Sequence, residues 1–198
     1  MPDEVPGRAL VIGCGLGDDA EVLSETSFDV VAFDVSPTAI RWCGQRFPES
    51  KVRYCVEDLF HPPSNWVSGF DFVLESYTLQ VLPQPVRGEA QRKIASFVAA
   101  DGRLLVICRG RDDGEDEGNM PWPLTRDELR EFLACGLEEV RFEDYVDDET
   151  PPVRRFRVEY YRSTCSIRNC PIASLFSSIV SVAEGVVFRA AKARAGTG

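Results

Sequence analysis

Short apolar runs alternate along this chain with stretches of helical spacing, and glycine, proline and acidic residues punctuate them. Arg8 to Ile12 is an apolar run stopped by glycine, which reads as a buried strand. Asp18 to Ser24 reads as a helix, and Phe28 to Phe33 as a second buried strand ending at Asp34. Ser36 and Pro37 pair an N-cap with proline at the first helical position, opening a helix to about Phe47. Lys51 to Val56 and Phe70 to Leu74 are the third and fourth strands, with a loop at His61 to Asn65. The spacing predicts a helix over Val86 to Ala100, ended by Asp101-Gly102, and a fifth strand over Arg103 to Cys108. After a polar loop, Arg109 to Pro123, Thr125 caps a helix through Cys135 with Glu128 at the capping-box position. Leu137 to Tyr145 and Val153 to Tyr161 are two final strands.

Strands alternating with helices predict an α/β fold, a parallel sheet covered on both faces. The last two strands are joined by a short turn without a helix, which suits an antiparallel pair. At 198 residues and 44% hydrophobic, the chain suits one domain with a sizeable core. Its net charge of −10 argues against nucleic acid as the main partner, because phosphate binding needs a basic face. Seven cysteines, an odd number without a C-x-x-C pair, predict a reducing cytoplasm without disulfides or a metal site. No run of 18 apolar residues occurs, so no transmembrane segment is expected.

The charge is uneven. Residues 1–162 carry a net −13 and residues 163–198 a net +3. In that C-terminal tail, Ile172, Leu175, Phe176, Ile179, Ala183, Val186, Val187 and Ala190 fall at helical spacing, followed by Arg189, Lys192 and Arg194. Two readings stand side by side: a loosely ordered tail, and an amphipathic helix that contacts the domain, a membrane surface or a partner protein.

Chemistry concentrates at the strand ends. Gly13-Cys14-Gly15-Leu16-Gly17 lies between the first strand and the first helix, where glycines let backbone approach a ligand. A dinucleotide turn, G-x-G-x-x-G, wants glycine or alanine where this chain has Asp18, and a carboxylate there would repel a pyrophosphate. S-adenosylmethionine has no phosphate, so Asp18 and Asp19 favour it over NAD. Asp34, at the end of the second strand, can accept from two ribose hydroxyls, and an acid of Glu57-Asp58 can accept from an adenine amino group. Glu75, Tyr77 and Gln80 follow strand four, Arg109 and Arg111 follow strand five, and Trp122 lies on the next loop; these are the candidate pocket walls. For both arginines, solvated pairing with Asp112, Asp113, Glu115, Asp116 and Glu117 is the competing reading. His61 reads first as a loop histidine and Cys14 as a packing residue.

The series Ala9 to Gly17, Phe33-Asp34-Val35-Ser36, Glu57-Asp58-Leu59 and Phe70-Asp71-Phe72-Val73 resembles the motifs of class I S-adenosylmethionine-dependent methyltransferases. The resemblance covers about residues 8–162, so 1–162 is read as the methyltransferase domain. It implies a Rossmann-like, seven-stranded, mostly parallel sheet whose last strand inserts antiparallel. It implies that Gly13 and Gly15 line the methionine part, that Asp34 holds the ribose and Asp58 the adenine, and that Glu75 sits near the methionine amino group or the methyl-transfer face. Asn119-Met120-Pro121-Trp122-Pro123-Leu124-Thr125 with Glu128-Leu129 and Phe132-Leu133 is similar to the thiopurine and thiol methyltransferase group. That implies a small, soft nucleophile as acceptor, with Glu75, Tyr77 and Arg109 as the residues nearest the reaction. A direct displacement asks for positioning more than for a strong base, which suits a chain with a single histidine. Members of that group carry a segment before the first strand that helps cover cofactor and acceptor. Here seven residues precede Arg8, and the alternative reading is a catalytically impaired methyltransferase-fold protein acting as a binding module.

Overall fold

The computed structural model describes residues 7–164. The tail reading above falls on 163–198 and so lies almost wholly outside the described residues. Seven strands form one sheet: β1 (Arg8–Ile12), β2 (Asp29–Asp34), β3 (Arg53–Val56), β4 (Phe70–Ser76), β5 (Val98–Arg109), β6 (Glu138–Val146) and β7 (Arg154–Tyr161). Their spatial order is β3-β2-β1-β4-β5-β7-β6. β1 to β5 run parallel, and β7 enters antiparallel between β5 and β6. The expected architecture, including the inverted last strand, is what the sheet shows.

The helices are α1 (Asp18–Ser24), α2 (Pro37–Arg46), α3 (Gln84–Phe97), and two single turns, α4 (Arg126–Leu129) and α5 (Glu131–Ala134). The sheet carries a buried cluster on each face. One joins Leu10, Ile12, Val73, Leu104, Val106, Val158 and Tyr160 to Ala90 and Ile94 of α3 and to Leu129 and Phe132. The other joins Ala9, Val11, Val30, Ala32, Leu74, Leu105 and Ile107 to Ala20 and Leu23 of α1. Between β3 and β4 a loop replaces a helix. Trp66 fills the space there, its ring 5.2 Å from Phe33, 5.9 Å from Phe70 and 6.0 Å from Phe97.

Two elements differ from the sequence reading, each for a local reason. The helix expected to reach Ala100 stops at Phe97. Its last carbonyls go to the N–H groups of Ser68 and Gly69, from Ser96 and Phe97 at 2.8 and 3.1 Å. Val98, β-branched and fully buried, turns extended and pairs with Phe70. The helix expected from Thr125 to Cys135 breaks into two turns. Its capping box forms as read, with Thr125 accepting from the Glu128 N–H and Glu128 from the Thr125 N–H. The buried Tyr160 hydroxyl then donates to the Leu129 carbonyl at 2.9 Å, and the Leu133 N–H bonds instead to Arg130. Ile94 is fully buried between α3 and the sheet. Ile94→Ala is expected to cost about 2–5 kcal/mol, read as a lower urea midpoint at unchanged slope.

Candidate cofactor and acceptor site

The glycine turn is built so that one side is closed and the other open. Gly13 takes φ 58°, and a Cβ there would sit 2.3 Å from the Thr78 hydroxyl oxygen. Gly15 takes φ 54°, and a Cβ there would meet nothing within 4 Å. The Cys14 N–H donates to the Phe33 carbonyl at 2.9 Å, which ties the turn to the end of β2. From below, Tyr54 donates to Glu21 at 2.7 Å and closes against Gly17, where a Cβ would lie 2.6 Å from its hydroxyl. Burial first, and then the neighbouring Cys43, push the Cys14 thiol well above its usual range, so it is a packing residue as expected.

Acidic side chains close the adjacent strand ends. Asp34 accepts the Gly15 N–H at 3.0 Å on one oxygen and the Ser36 N–H at 2.8 Å on the other. Each oxygen keeps a further lone pair, so two hydroxyls can still be accepted. The Glu57 N–H donates to the Asp34 carbonyl at 3.2 Å, which brings the end of β3 beside Asp34. Asp58 accepts from the Phe60 N–H at 2.9 Å and lies 2.7 Å from His61 Nδ1. His61, then the Phe60 N–H, hold the Asp58 carboxyl below the usual range. His61 thus orients Asp58. Asp18 corrects the argument made from its position in the sequence. Its two oxygens pair with Arg46 at 2.9 and 2.7 Å, so its charge is answered on α2 and weighs less against a phosphate than its position suggests.

Glu75 is the penultimate residue of β4, opposite Ile12 of β1 and Val106 of β5, and is fully buried. One carboxyl oxygen accepts the N–H groups of Thr78 and Leu79 at 2.7 and 2.9 Å. The other, Oε2, is buried without a partner. Burial pushes this carboxyl up to about 7, against the pull of the two N–H donors. Glu75 therefore shapes the turn whose Thr78 presses on Gly13. Tyr77 sits on that turn at φ 67°, its N–H on the Ile107 carbonyl at 2.9 Å and its ring 4.9 Å from the Arg155 guanidinium. Burial raises its hydroxyl to about 12 although Arg155 lowers it, so Tyr77 does not ionise near neutrality.

The arginines after β5 divide. Arg111 bonds Glu117, one of the acids expected of it, at 3.3 Å, but also Glu128 at 3.2 Å, and its side chain is largely buried where a solvated pairing was expected. Arg109 has none of those partners; its Nε is buried without one. Gln80 braces this region, accepting the Arg109 N–H on its side chain and the Trp122 N–H on its carbonyl, both at 2.7 Å. Trp122 packs under the loop, 5.8 Å from the Arg87 guanidinium. The sequence reading missed Thr78, Arg155 and Arg87. Thr78 carries no local signal, and the arginines are defined by partners distant in sequence. Among the described residues no group of three or more His, Cys, Asp or Glu could hold a metal ion, and no helix is long and apolar enough to cross a membrane.

Residues 9–102, from β1 to the start of β5 proper, match the methyltransferase domain family. Over that stretch the chain resembles methyltransferase domains, and its seven-stranded sheet with an inverted β7 is the class I methyltransferase fold. It is similar to probable thiol methyltransferase 2 of Arabidopsis thaliana, 28% identical over 146 residues, and to thiocyanate methyltransferase 1 of Brassica oleracea, 24% identical over 143. Each match takes in 70% of this chain and 62% of the relative, so the chain spans less than two thirds of their length. Among solved structures it resembles an S-adenosylmethionine-dependent methyltransferase of Methanosarcina mazei, with TM-score 0.69, 18% identity, and 81% and 94% of the two chains covered. It also resembles the 1,6-didemethyltoxoflavin N1-methyltransferase of Burkholderia thailandensis, solved with S-adenosylhomocysteine, with TM-score 0.66, 20% identity, and 80% and 72% covered. These likenesses show the fold.

The raised Glu75 carboxyl makes a signed prediction. With about 7 in the folded chain against 4.5 as the ordinary value, its share of stability is complete below pH 4.5 and lost as pH rises to about 7. At about 1.4 kcal/mol per pH unit, the loss is about 3 kcal/mol. Relative to Glu75→Gln, the wild-type urea midpoint should fall across that window. A constant offset between the two proteins would show that Glu75 folds already ionised.

Proposed function

We propose that the chain binds S-adenosylmethionine along the ends of β1 to β4 and passes its methyl group to a small, soft nucleophile, a thiol in the first place. The observation that carries the reading is the Gly15 turn, open on one side and held by an Asp34 carboxylate with lone pairs to spare. The residues fit that cofactor. Gly13 and Gly15 leave a backbone cradle for its methionine part, Asp34 suits its ribose diol, and Asp58 its adenine amino group. The buried, unpartnered Glu75 Oε2 suits its ammonium, which would hold Glu75 ionised. When bound, S-adenosylmethionine supplies an electrophilic methyl group on a sulfonium centre.

The chain's own task is then positional. Tyr77 and Arg109 stand at the carboxyl ends of β4 and β5, where open α/β sheets receive their ligands. A thiolate acceptor brings its own electron pair and has no proton to lose. This accords with a site whose histidine is exposed and engaged with Asp58. Two relatives named for thiol and thiocyanate methylation support the acceptor class. The unbridged cysteines among the described residues support a reducing cytoplasm as the location.

Calorimetry with S-adenosylmethionine should give one site per chain. Asp34→Ala should weaken it by about tenfold or more, the cost of hydrogen bonds to a charged group. Folded protein that gives no heat with the cofactor would refute the reading. Mass spectrometry after incubation with a thiol panel then separates the alternatives: methylated thioethers mark the enzyme, and binding without product marks the binding module.

A further inference from the structure

Five arginines gather toward the carboxyl ends of β4 and β5 and the start of β7, and their charges are answered unequally. Arg87 and Arg111 share Glu117 and Glu128. Arg154 takes Asp112 and Asp144, at 2.9 and 2.7 Å. Arg155 takes Asp147 and Glu149, at 2.7 and 3.0 Å. The Arg109 guanidinium has no hydrogen bond or ion pair with any described residue, and its Nε is withdrawn from water as well. A buried N–H without an acceptor costs free energy.

The register aggravates that cost. Arg109 stands directly opposite Arg155 in the antiparallel β5–β7 pair, so the two side chains share a face. Like charges directly opposite are destabilising there. The carboxylates of Asp147 and Glu149 relieve Arg155 alone.

Nor can the backbone at Arg109 yield to find a partner. Its N–H is held by Gln80 Oε1 at 2.7 Å and its carbonyl by the Leu124 N–H at 2.9 Å. The next residue, Gly110, lies so close to Phe156 that a Cβ would fall 2.5 Å from the ring. In the sheet, β4 neighbours β5, and Tyr77, just beyond the end of β4, lies against Arg155.

We infer that Arg109 is the anion-recognising residue of the acceptor site, and that the acceptor is a small anion or carries an anionic group such as a carboxylate. Naming the bound anion the acceptor rests on the methyltransferase reading; the anion site itself does not. Charge on the acceptor is set against a fixed cation at the strand end, which orients it toward the cofactor side of the sheet. The same guanidinium favours the ionised form of a thiol beside it.

The test compares two acceptors of similar shape that differ by one negative charge, with a small anion beside them. 4-Mercaptobenzoate, 4-mercaptobenzamide, which carries one negative charge fewer, and thiocyanate are titrated into the full chain, with and without S-adenosylhomocysteine, by following tryptophan fluorescence. The wild type should bind the benzoate about tenfold or more tightly than the benzamide, as charge-assisted hydrogen bonds allow. Arg109→Gln should remove that preference and Arg109→Lys restore part of it, while affinity for S-adenosylhomocysteine stays at the wild-type value and the thermal midpoint of Arg109→Gln rises, its opposition to Arg155 relieved. Thiocyanate binding lost in Arg109→Gln identifies the small anion itself as a ligand; loss for the benzoate alone identifies an appended group. A wild type indifferent to acceptor charge, or an Arg109→Gln protein that keeps the preference, overturns the inference. Failure to bind S-adenosylhomocysteine, with anion binding at Arg109 intact, refutes the methyltransferase reading instead.

Discussion

One carboxylate joins the parts on which this site depends. Asp34 holds the N–H of Gly15 with one oxygen and that of Ser36 with the other. The first bond fixes the turn that follows β1; the second fixes the N-cap of α2, whose hydroxyl accepts from Ala39. Charge-assisted bonds to backbone N–H groups are stronger than neutral ones, and two from a single side chain set the turn and the helix in one geometry. Gly15 can take its left-handed backbone without a side chain because Asp34 supplies the fixing bond from outside the turn.

A second carboxylate does similar work across the sheet. Glu128 caps α4 and also accepts from Arg87 on α3 and Arg111 on the loop after β5. That loop is long and polar, and long loops keep a single course only where side chains tie them down. Gln80, buried beneath it, adds bonds to Arg109 and Trp122. The loop after β5 is therefore held by polar side chains, as the glycine turn after β1 is held by Asp34 together with close packing at Gly13 and Gly17.

The alternation of strands and helices, the inverted β7, the capping box at Thr125 and the turn at Gly13 to Gly17 were all legible, because each is written in neighbouring residues. Asp18 shows where that legibility stops. Its meaning was set by Arg46, 28 residues away, which no local pattern announces. Arg109 and Arg111 illustrate the same limit from the other side. Two arginines two positions apart looked alike, yet Arg109 is the last residue of β5 and Arg111 lies on the loop beyond it, where it met Glu117 and Glu128 while Arg109 met neither. The early end of α3 and the break after Leu129 were hidden for a related reason: distant groups, Ser68, Gly69 and the Tyr160 hydroxyl, compete for helix carbonyls.

The insertion of β7 between β5 and β6 also governs how the chain can be assembled. β5 is paired on one side as soon as β4 and β5 exist, but its other edge waits for residues 154–161. β6 is made before β7 and has no other strand to pair with. During synthesis, then, the nascent chain carries an open strand edge on β5 and a lone strand until its last strand emerges. Such edges invite pairing with other chains. The charged residues of β6, Glu138, Glu139, Arg141, Glu143 and Asp144, keep that waiting strand dispersed in water until its partner arrives.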